Sequence, residues 1–576
     1  MNIHALLVNR FTEALQEMGV ENAPVPVSRS ARPEFGEYQF NGAMALAKQL
    51  KQKPRDIAEK IVETVKLDDI ASKLEVAGPG FINVHLNDAW LSNQCELSLT
   101  DPRLGIAKSP EQNIVVDYSS PNLAKEMHVG HLRTTIIGDA VVKVLEFLGH
   151  NVIRQNHMGD WGTQFGMLLA HLSDKLQEEV AETALSDLED FYREAKVRFD
   201  EEEGFADRAR EYVVKLQGGD AQCLALWEKF IDVSIAHSEE VYDKLNVSLT
   251  RKDIMGESAY NEDLANVISD LKAKGIAVED QGAQVVFIPE LADKEGNPAV
   301  YIVQKSGGGY LYATTDLAAM RYRSGKLNAD RTLILTDARQ ALHFKQTEIV
   351  GRKAGFMKEE QTYEHCPFGM MLGSDGKPFK TRTGGTVKLV ELLDEAVERA
   401  GKLIAERDND LSEEELKEVA RKVGIGAVKY ADLSKNRTTD YMFNWDSMLS
   451  FEGNTAPYLQ YAYTRVKSLF RKAGVDMATM PVDITIVEKQ EHALAVLLMQ
   501  FEEVIGMVSR EATPHVLCTY LYDVASAFMT FYEACPMLKE GIEPQVRDSR
   551  LALSALVANT LKQGLTLLGI ETLEKM

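Results

Sequence analysis

The sequence predicts a multidomain α/β protein: a small α+β domain first, a doubly wound sheet with insertions in the middle, and an all-α helical bundle at the end. Three observations carry this. A chain of 576 residues with 45% hydrophobic content is long enough for roughly three or four cores. The apolar run Ile114-Val-Val-Asp-Tyr118 is followed by a polar loop, an amphipathic helix and a second apolar run, the β-loop-α-β unit of doubly wound sheets. From about residue 446 onward only helical patterns are found.

Residues 1–108 mix amphipathic stretches, Ala43 to Lys51 and Pro54 to Val65, with a strand-like segment from Phe81 to Leu86. After Tyr118 the apolar residues Leu132, Ile136, Ala140, Val144 and Phe147 recur at helical spacing, Gly149 ends the helix, and Val152-Ile153 resumes a strand. The central domain is expected over 109–390. Two insertions interrupt it. The first, near 165–235, is helical and acidic, includes Glu201 to Glu203 and is read as standing off the sheet; the second lies near 258–308. Strand-like runs return at Gln284 to Ile288, Val300 to Val303 and Thr332 to Leu335. Residues 391–445 read as a helical linker containing a capping box from Ser412 to Glu415. Residues 446–576 form the bundle, with one helix starting at Thr513-Pro514, where Thr suits N-cap and Pro the first helical position.

Composition narrows the function classes. The formal charge of -23 argues against non-specific binding of polyanions, DNA included, because phosphate contacts need Lys and Arg. A folded RNA met by shape and a local basic face is still compatible. Cys95, Cys223, Cys366, Cys518 and Cys535 are odd in number and widely spaced, so neither disulfides nor zinc are implied. The start of the chain lacks a basic stretch followed by a long apolar core, and no run of about 18 uninterrupted apolar residues is found. A cytoplasmic protein with no membrane partner is expected. No fixed-period repeat or low-complexity tract is visible.

The stretch Ser119-Ser-Pro-Asn122-Leu-Ala-Lys125-Glu-Met-His128-Val-Gly130-His131-Leu-Arg133 lies between the first sheet strand and its helix. Such a loop presents backbone N–H groups and a positive helix terminus to an anion, so a polyphosphate is its natural guest. Gly130 allows close approach to the backbone. His128 and His131 can donate hydrogen bonds as charge develops at phosphorus. By themselves the two histidines also read as polar residues at a helix start, or as a metal pair with no third ligand nearby.

His-Val-Gly-His in this placement resembles the HIGH signature of class I aminoacyl-tRNA synthetases. Its surroundings resemble the arginyl-tRNA synthetases in particular, over essentially the whole chain and most closely in their bacterial form. The runs that carry this are Ser119 to Lys125, Asn156-His-Met-Gly-Asp160-Trp161-Gly162-Thr-Gln164-Phe-Gly166, Leu433 to Tyr441, Trp445-Asp446 and Glu452 to Arg465. The resemblance implies an arginine–tRNA ligase with a Rossmann-type catalytic domain, an N-terminal tRNA-binding domain and a C-terminal anticodon-binding domain. It implies arginine, ATP with Mg2+ and tRNA(Arg) as partners, no zinc, and a monomer. Rival readings are another HIGH-bearing adenylate-forming enzyme and a non-catalytic tRNA-binding paralogue. The first meets missing cysteines or a superfluous bundle; the second meets an intact set of pocket residues.

One departure stands out. In place of the usual second signature, Lys-Met-Ser-Lys-Ser, the sequence reads Gly376-Lys377-Pro-Phe-Lys380-Thr-Arg382-Thr-Gly-Gly385-Thr386. By resemblance, Lys125 just before the first signature compensates. The implied catalytic set is thus His128, His131, Lys125 and Lys380, with Gly130, Lys377 and Arg382 also on ATP. Arginine selection needs acidic and polar groups facing a five-donor guanidinium. The matching positions are Asp117, Asn122, Tyr312, Asp316 and Gln340, with Glu257 a weaker candidate. Without the family, Asp316 reads as a helix N-cap and Tyr312 as a core aromatic. For tRNA, Phe81 and Asn83 match D-loop contacts, and Tyr458, Arg465 and Met576 match positions near the anticodon loop. Phe81 alone reads equally as strand core.

Overall fold

The computed structural model describes every residue except 179, 381–384 and 408–409. The chain divides into two compact units, one of Met1–Lys108, Ser450–Leu567 and Glu571–Met576, the other of Ser109–Leu449 and Leu568–Ile570.

In the first unit β1 (Val27–Arg29), β2 (Tyr38–Phe40), β3 (Ala71–Ala77) and β4 (Phe81–Leu86) form an antiparallel sheet in the order β1-β2-β4-β3. Tyr38, Phe40, Ile82 and Val84 are buried, and Phe40 stacks at 4.6 Å on Phe11 of the helix Ile3–Glu17. The helices Ala456–Ala473, Lys489–Met499, Phe501–Glu511, Pro514–Ala534 and Pro544–Leu567 complete the unit. The segments 1–108 and 446–576, expected as the first and last domains, lie in one compact unit. Glu503, 9% exposed, accepts from the Tyr38 hydroxyl at 2.5 Å and from Arg29 at 2.9 Å. His492 sits between Glu37 at 2.8 Å and Asp88 at 2.6 Å, and these carboxylates push its pKa up to about 9 against burial. No local pattern announces such long-range partners. Pro514 opens its helix as expected, but the Thr513 hydroxyl makes no capping bond and is buried. The apolar stretch Lys489–Glu511, of mean hydropathy 1.3, divides at Gln500 into two helices and lies mostly in the core of this unit.

The second unit is built on β5 (Asn113–Asp117) and β6 (Asn151–Gln155), joined through the helix Leu132–Phe147. A separate antiparallel sheet of β7 (Val278–Asp280), β8 (Ala283–Ile288) and β9 (Ala299–Gln304) follows, then β10 (Arg331–Ile334) and β11 (Thr362–His365). The main sheet is parallel with order β11-β10-β5-β6. Ile114, Val115 and Val116 are all fully buried, which is why β5 reads as a continuous apolar run rather than an alternation.

Two expectations are corrected here. Residues 391–445 are not a linker. The helices Leu389–Ala405 and Glu413–Leu433 belong to the second unit, and Arg133 meets Asp432 at 3.3 Å with both side chains essentially unexposed. A parallel pair of β12 (Met371–Leu372) and β13 (Tyr441–Met442) closes the segment. An amphipathic helix reads the same whatever it covers, so the sequence pattern does not distinguish linker from core. Nor does the first insertion wholly stand off the sheet. Its last helix, Ala221–Leu245, runs back under the loop that follows β5, where the buried Ser234 donates to the Leu123 carbonyl at 2.6 Å.

Candidate active site

β5 and β10 lie side by side, while the chain leaves β5 for β6 on the other side. This is the switch point of the sheet, where a crevice opens at the carboxyl ends of the strands. Into it run the loop after β5, carrying Asn122, Lys125, His128 and His131, and the turn after β10, carrying Gln340. Asn122 is exposed and accepts from Ala124 N–H at 2.9 Å and Gln164 at 3.3 Å. Gln340 is exposed at the start of the helix Ala341–Lys353. Asp117 is brought to the crevice too, but buried: Arg323 donates to it at 2.8 Å and Ser120 at 2.8 Å. Its charge is thus already matched from within the chain, by a residue that sequence reasoning did not pick out.

The two histidines are held by main chain. His128 Nδ1 accepts from Gly130 N–H at 3.0 Å, and His131 Nδ1 accepts from His128 N–H at 3.1 Å. Each ring therefore carries its proton on Nε2 and presents a donor. Their centroids are 4.2 Å apart. Burial lowers the pKa of His128, helped by the nearby Lys125 charge, and pushes that of His131 down to about 3, helped by His128. Both imidazoles are neutral. A Cβ at Gly130 would stand 2.6 Å from the His128 ring, so the glycine makes room for that ring. Lys125 is exposed, with Nζ 4.1 Å from the Tyr192 ring centroid.

Beside the loop is a group of carboxylates. Asp316 lies in the helix Tyr312–Gly325, whose N-cap is Leu311, so Asp316 is not a cap. Its Oδ2 meets His343 Nε2 at 2.5 Å and its Oδ1 is 3.9 Å from His157 Nε2. Asp160, 6% exposed, accepts from Ser258 N–H at 2.8 Å and Ser258 Oγ at 2.5 Å. The absence of a side chain at Gly256 is needed, because a Cβ there would stand 2.4 Å from Asp160 Oδ2. Glu257 is pushed up to about 8 by burial and then by the charges of Asp160 and Asp316. Among the described residues no Lys or Arg pairs with Glu257. Tyr312, far from a core aromatic, is 71% exposed and lines with Glu257, Trp161 and Gln164 a cavity of about 410 Å³. His157 and His343 went unnoticed in the sequence, although His157 lies within a motif run.

The basic loop after β12 ends against the signature loop: Val129 N–H donates to Val387 at 3.0 Å and Leu389 N–H to Met127 at 3.0 Å. Lys377 and Lys380 are exposed; Arg382 lies outside the described residues. In the first unit, Phe81 is partly exposed, while Asn83 is 1% exposed and accepts from Gln39 at 2.8 Å. Tyr458 approaches Tyr522 at 5.6 Å and Arg465 lies over Tyr532 at 4.8 Å, both partners on the helix Pro514–Ala534. Met576 is half-buried. Among the described residues no three His, Cys, Asp or Glu side chains are grouped to hold a metal ion.

Residues 95–445 match the family described as "tRNA synthetases class I (R), catalytic domain", residues 459–576 the "DALR anticodon binding domain", and residues 5–86 the "Arginyl tRNA synthetase N terminal domain". The chain is 98% identical over 576 residues to the arginine–tRNA ligase of Alteromonas mediterranea, covering 100% of both. It is similar to the solved arginyl-tRNA synthetase of Plasmodium falciparum, at TM-score 0.86 and 29% identity over 100% of this chain and 99% of the other. It is also similar to that of Thermus thermophilus, at TM-score 0.83 and 25% identity over 100% of both.

Proposed function

The chain belongs to the arginyl-tRNA synthetase family, and from that membership we propose that the crevice between β5 and β10 is where arginine is joined to AMP and then passed to tRNA. The chain has the activity of an arginine–tRNA ligase of class I, with ATP as substrate. The observation that carries the site assignment is the carboxylate group Asp160, Glu257 and Asp316, in which no Lys or Arg pairs with Glu257 among the described residues and which the loop after β5 meets through Ser120 and His157. A guanidinium is always charged and offers five donors, so it supplies what this group lacks.

In the proposed reaction MgATP lies on the loop after β5, with His128, His131, Lys125 and the late-loop residues Lys377, Lys380 and Arg382 around its phosphates. The arginine carboxylate attacks the α-phosphorus and the bond to pyrophosphate breaks; the 2′-hydroxyl of the terminal adenosine of tRNA then attacks the arginyl carbonyl, and AMP leaves with the hydroxyl proton passing to solvent. Neutral Nε2–H groups are suited to charge that grows at phosphorus, since they donate without needing to lose a proton. Asn122, Tyr312, Asp316, Glu257 and Gln340 are assigned to the amino acid, with Asp117 acting at the edge of the pocket through its bond to Ser120. Phe81 and Asn83, and Tyr458, Arg465 and Met576, are assigned to tRNA; a base reading Asn83 would take the place of Gln39. We place the enzyme in the cytoplasm, as a monomer. Arginine-dependent pyrophosphate exchange, with and without tRNA(Arg), tests the assignment. Exchange with arginine and not with lysine is expected, and no arginine-dependent exchange would overturn it.

Glu257 adds a pH signature. With a pKa near 8, its carboxyl is mostly protonated at pH 7, and a guanidinium favours the charged form. The arginine KM should therefore fall as pH rises from 6.5 to 8.5, by up to about tenfold per unit below the pKa, and level off above it. A Glu257→Gln variant should show a high, flat KM over that range; a wild-type slope in the variant would remove Glu257 from the pocket.

A further inference from the structure

We propose that Tyr242 is a positioning residue for adenylate formation: its hydroxyl holds a strained turn at Ser119–Ser120 from which the phosphate loop and the arginine pocket both extend. The inference rests on reading that loop as the adenylate-forming site.

The strain is in the backbone. Ser119 and Ser120 have φ of +68° and +48°, two successive side-chain-bearing residues in the left-handed region, and such geometry persists only where its surroundings over-determine it. Those surroundings are polar and buried. Ser119 N–H donates to Thr134 Oγ1 at 3.1 Å, and Ser120 N–H donates to Asn156 Oδ1 at 2.9 Å. Ser119 Oγ is 2.7 Å from the Tyr242 hydroxyl, and Asn156 Nδ2 donates to that same hydroxyl at 2.9 Å. An amide nitrogen can only donate, so the Tyr242 oxygen accepts from Asn156; the Thr135 proton is taken by the His131 carbonyl, so Ser119 Oγ donates to Thr135 and the Tyr242 proton goes to Ser119. One hydroxyl thereby touches Ser119 directly and Ser120 through Asn156.

Each serine then leads to a different part of the site. Thr135 Oγ1 reaches both Ser119 Oγ at 2.9 Å and the His131 carbonyl at 2.7 Å, which connects the turn to the phosphate loop. Ser120 Oγ donates to Asp117 and accepts from His157 N–H at 3.0 Å, which connects it to the ring facing Asp316. Ser119, Asn156 and Tyr242 are 3%, 0% and 3% exposed. Water cannot readily replace the phenol, and burial pushes its pKa up to about 12, so it remains a donor across the working pH range. Tyr242 itself touches no proposed substrate atom. It comes from the helix of the first insertion that returns beneath the loop, which gives that insertion a part in the chemistry of the sheet.

The test is a double-mutant cycle of Tyr242→Phe and Ser119→Gly, read by arginine-dependent pyrophosphate exchange with tRNA present and by thermal unfolding. Tyr242→Phe should lower kcat about ten- to a hundredfold, as small misplacements of reacting groups do, with the ATP KM within about threefold of wild type. Glycine takes the left-handed region freely, so in the Ser119→Gly background the loss on adding Tyr242→Phe should shrink to about threefold, a coupling that a merely structural tyrosine would not show. A kcat of Tyr242→Phe within twofold of wild type, or equal losses in both backgrounds, would overturn the proposal. If Tyr242→Phe is too unstable to assay, the double variant decides: recovered exchange supports the proposal, and a folded but inactive double variant overturns it. A wild-type enzyme lacking arginine-dependent exchange would instead refute the reading of the site itself.

Discussion

Replacing Lys125 by alanine is expected to slow adenylate formation about a hundred- to a thousandfold, more than any single substitution in the loop 376–386. Lys125 is exposed, three residues before His128, on the loop at the switch point of the sheet. Among the described residues its side chain lies against the face of Tyr192, a contact that a phosphate can displace. A point charge there gains value as negative charge moves toward the leaving pyrophosphate, and loss of one such contact in a preorganised site typically costs about 3–4 kcal/mol. The arginine KM should barely change, because the contact is to ATP. A second effect follows from electrostatics. Lys125 helps to lower the His128 pKa, so its removal should shift the acid limb of the rate–pH profile upward. Exchange rates for Lys125→Ala, Lys377→Ala and Lys380→Ala settle the order; a near-normal Lys125→Ala beside an inactive Lys380→Ala would return the main role to the late loop.

Asp316→Asn should raise the arginine KM by about ten- to more than a hundredfold with the ATP KM nearly unchanged. The substitution keeps the shape of the side chain and one acceptor toward His343, so the helix Tyr312–Gly325 is not expected to unfold. What is lost is a charge-assisted bond to guanidinium, worth about 1.5–3 kcal/mol. The Asp316 charge also contributes to the raised pKa of Glu257, so in the variant the pH dependence of the arginine KM should move to lower pH. Steady-state exchange at several pH values reads both effects, and an unchanged KM would leave Asp316 as a partner of His343 alone.

Legibility in the sequence followed the range of the interactions. β5 and the helix after it were readable because their apolar periodicity is local, and the His128–His131 loop because motif and placement coincide within a few residues. The capping box from Ser412 to Glu415 is present as expected, again a contact over three residues. The left-handed turn at Ser119–Ser120 left no trace, since a Ser-Ser pair carries no signal of positive φ of the kind glycine gives. Asp117 looked available because Arg323, its partner, is 206 residues away. The burial of Asn83 against Gln39 was hidden because a strand pattern says which residues alternate, not which face a neighbouring element covers. The packing of 391–445 into the second unit was hidden for the same reason.

The joining of both chain ends in one unit matters most while the protein is being made. Residues 1–108 leave the ribosome first, yet Glu503 and His492, which meet Arg29, Tyr38, Glu37 and Asp88, emerge roughly 400 residues later. At about 5–20 residues per second the delay is on the order of 20–80 s, during which Ser109–Leu449 of the second unit emerges while the partners of Arg29, Tyr38, Glu37 and Asp88 are still to be made. The last helices thus act as a late clasp on the first strands. A message cut short before Lys489 would leave Arg29, Tyr38, Glu37 and Asp88 without Glu503 and His492.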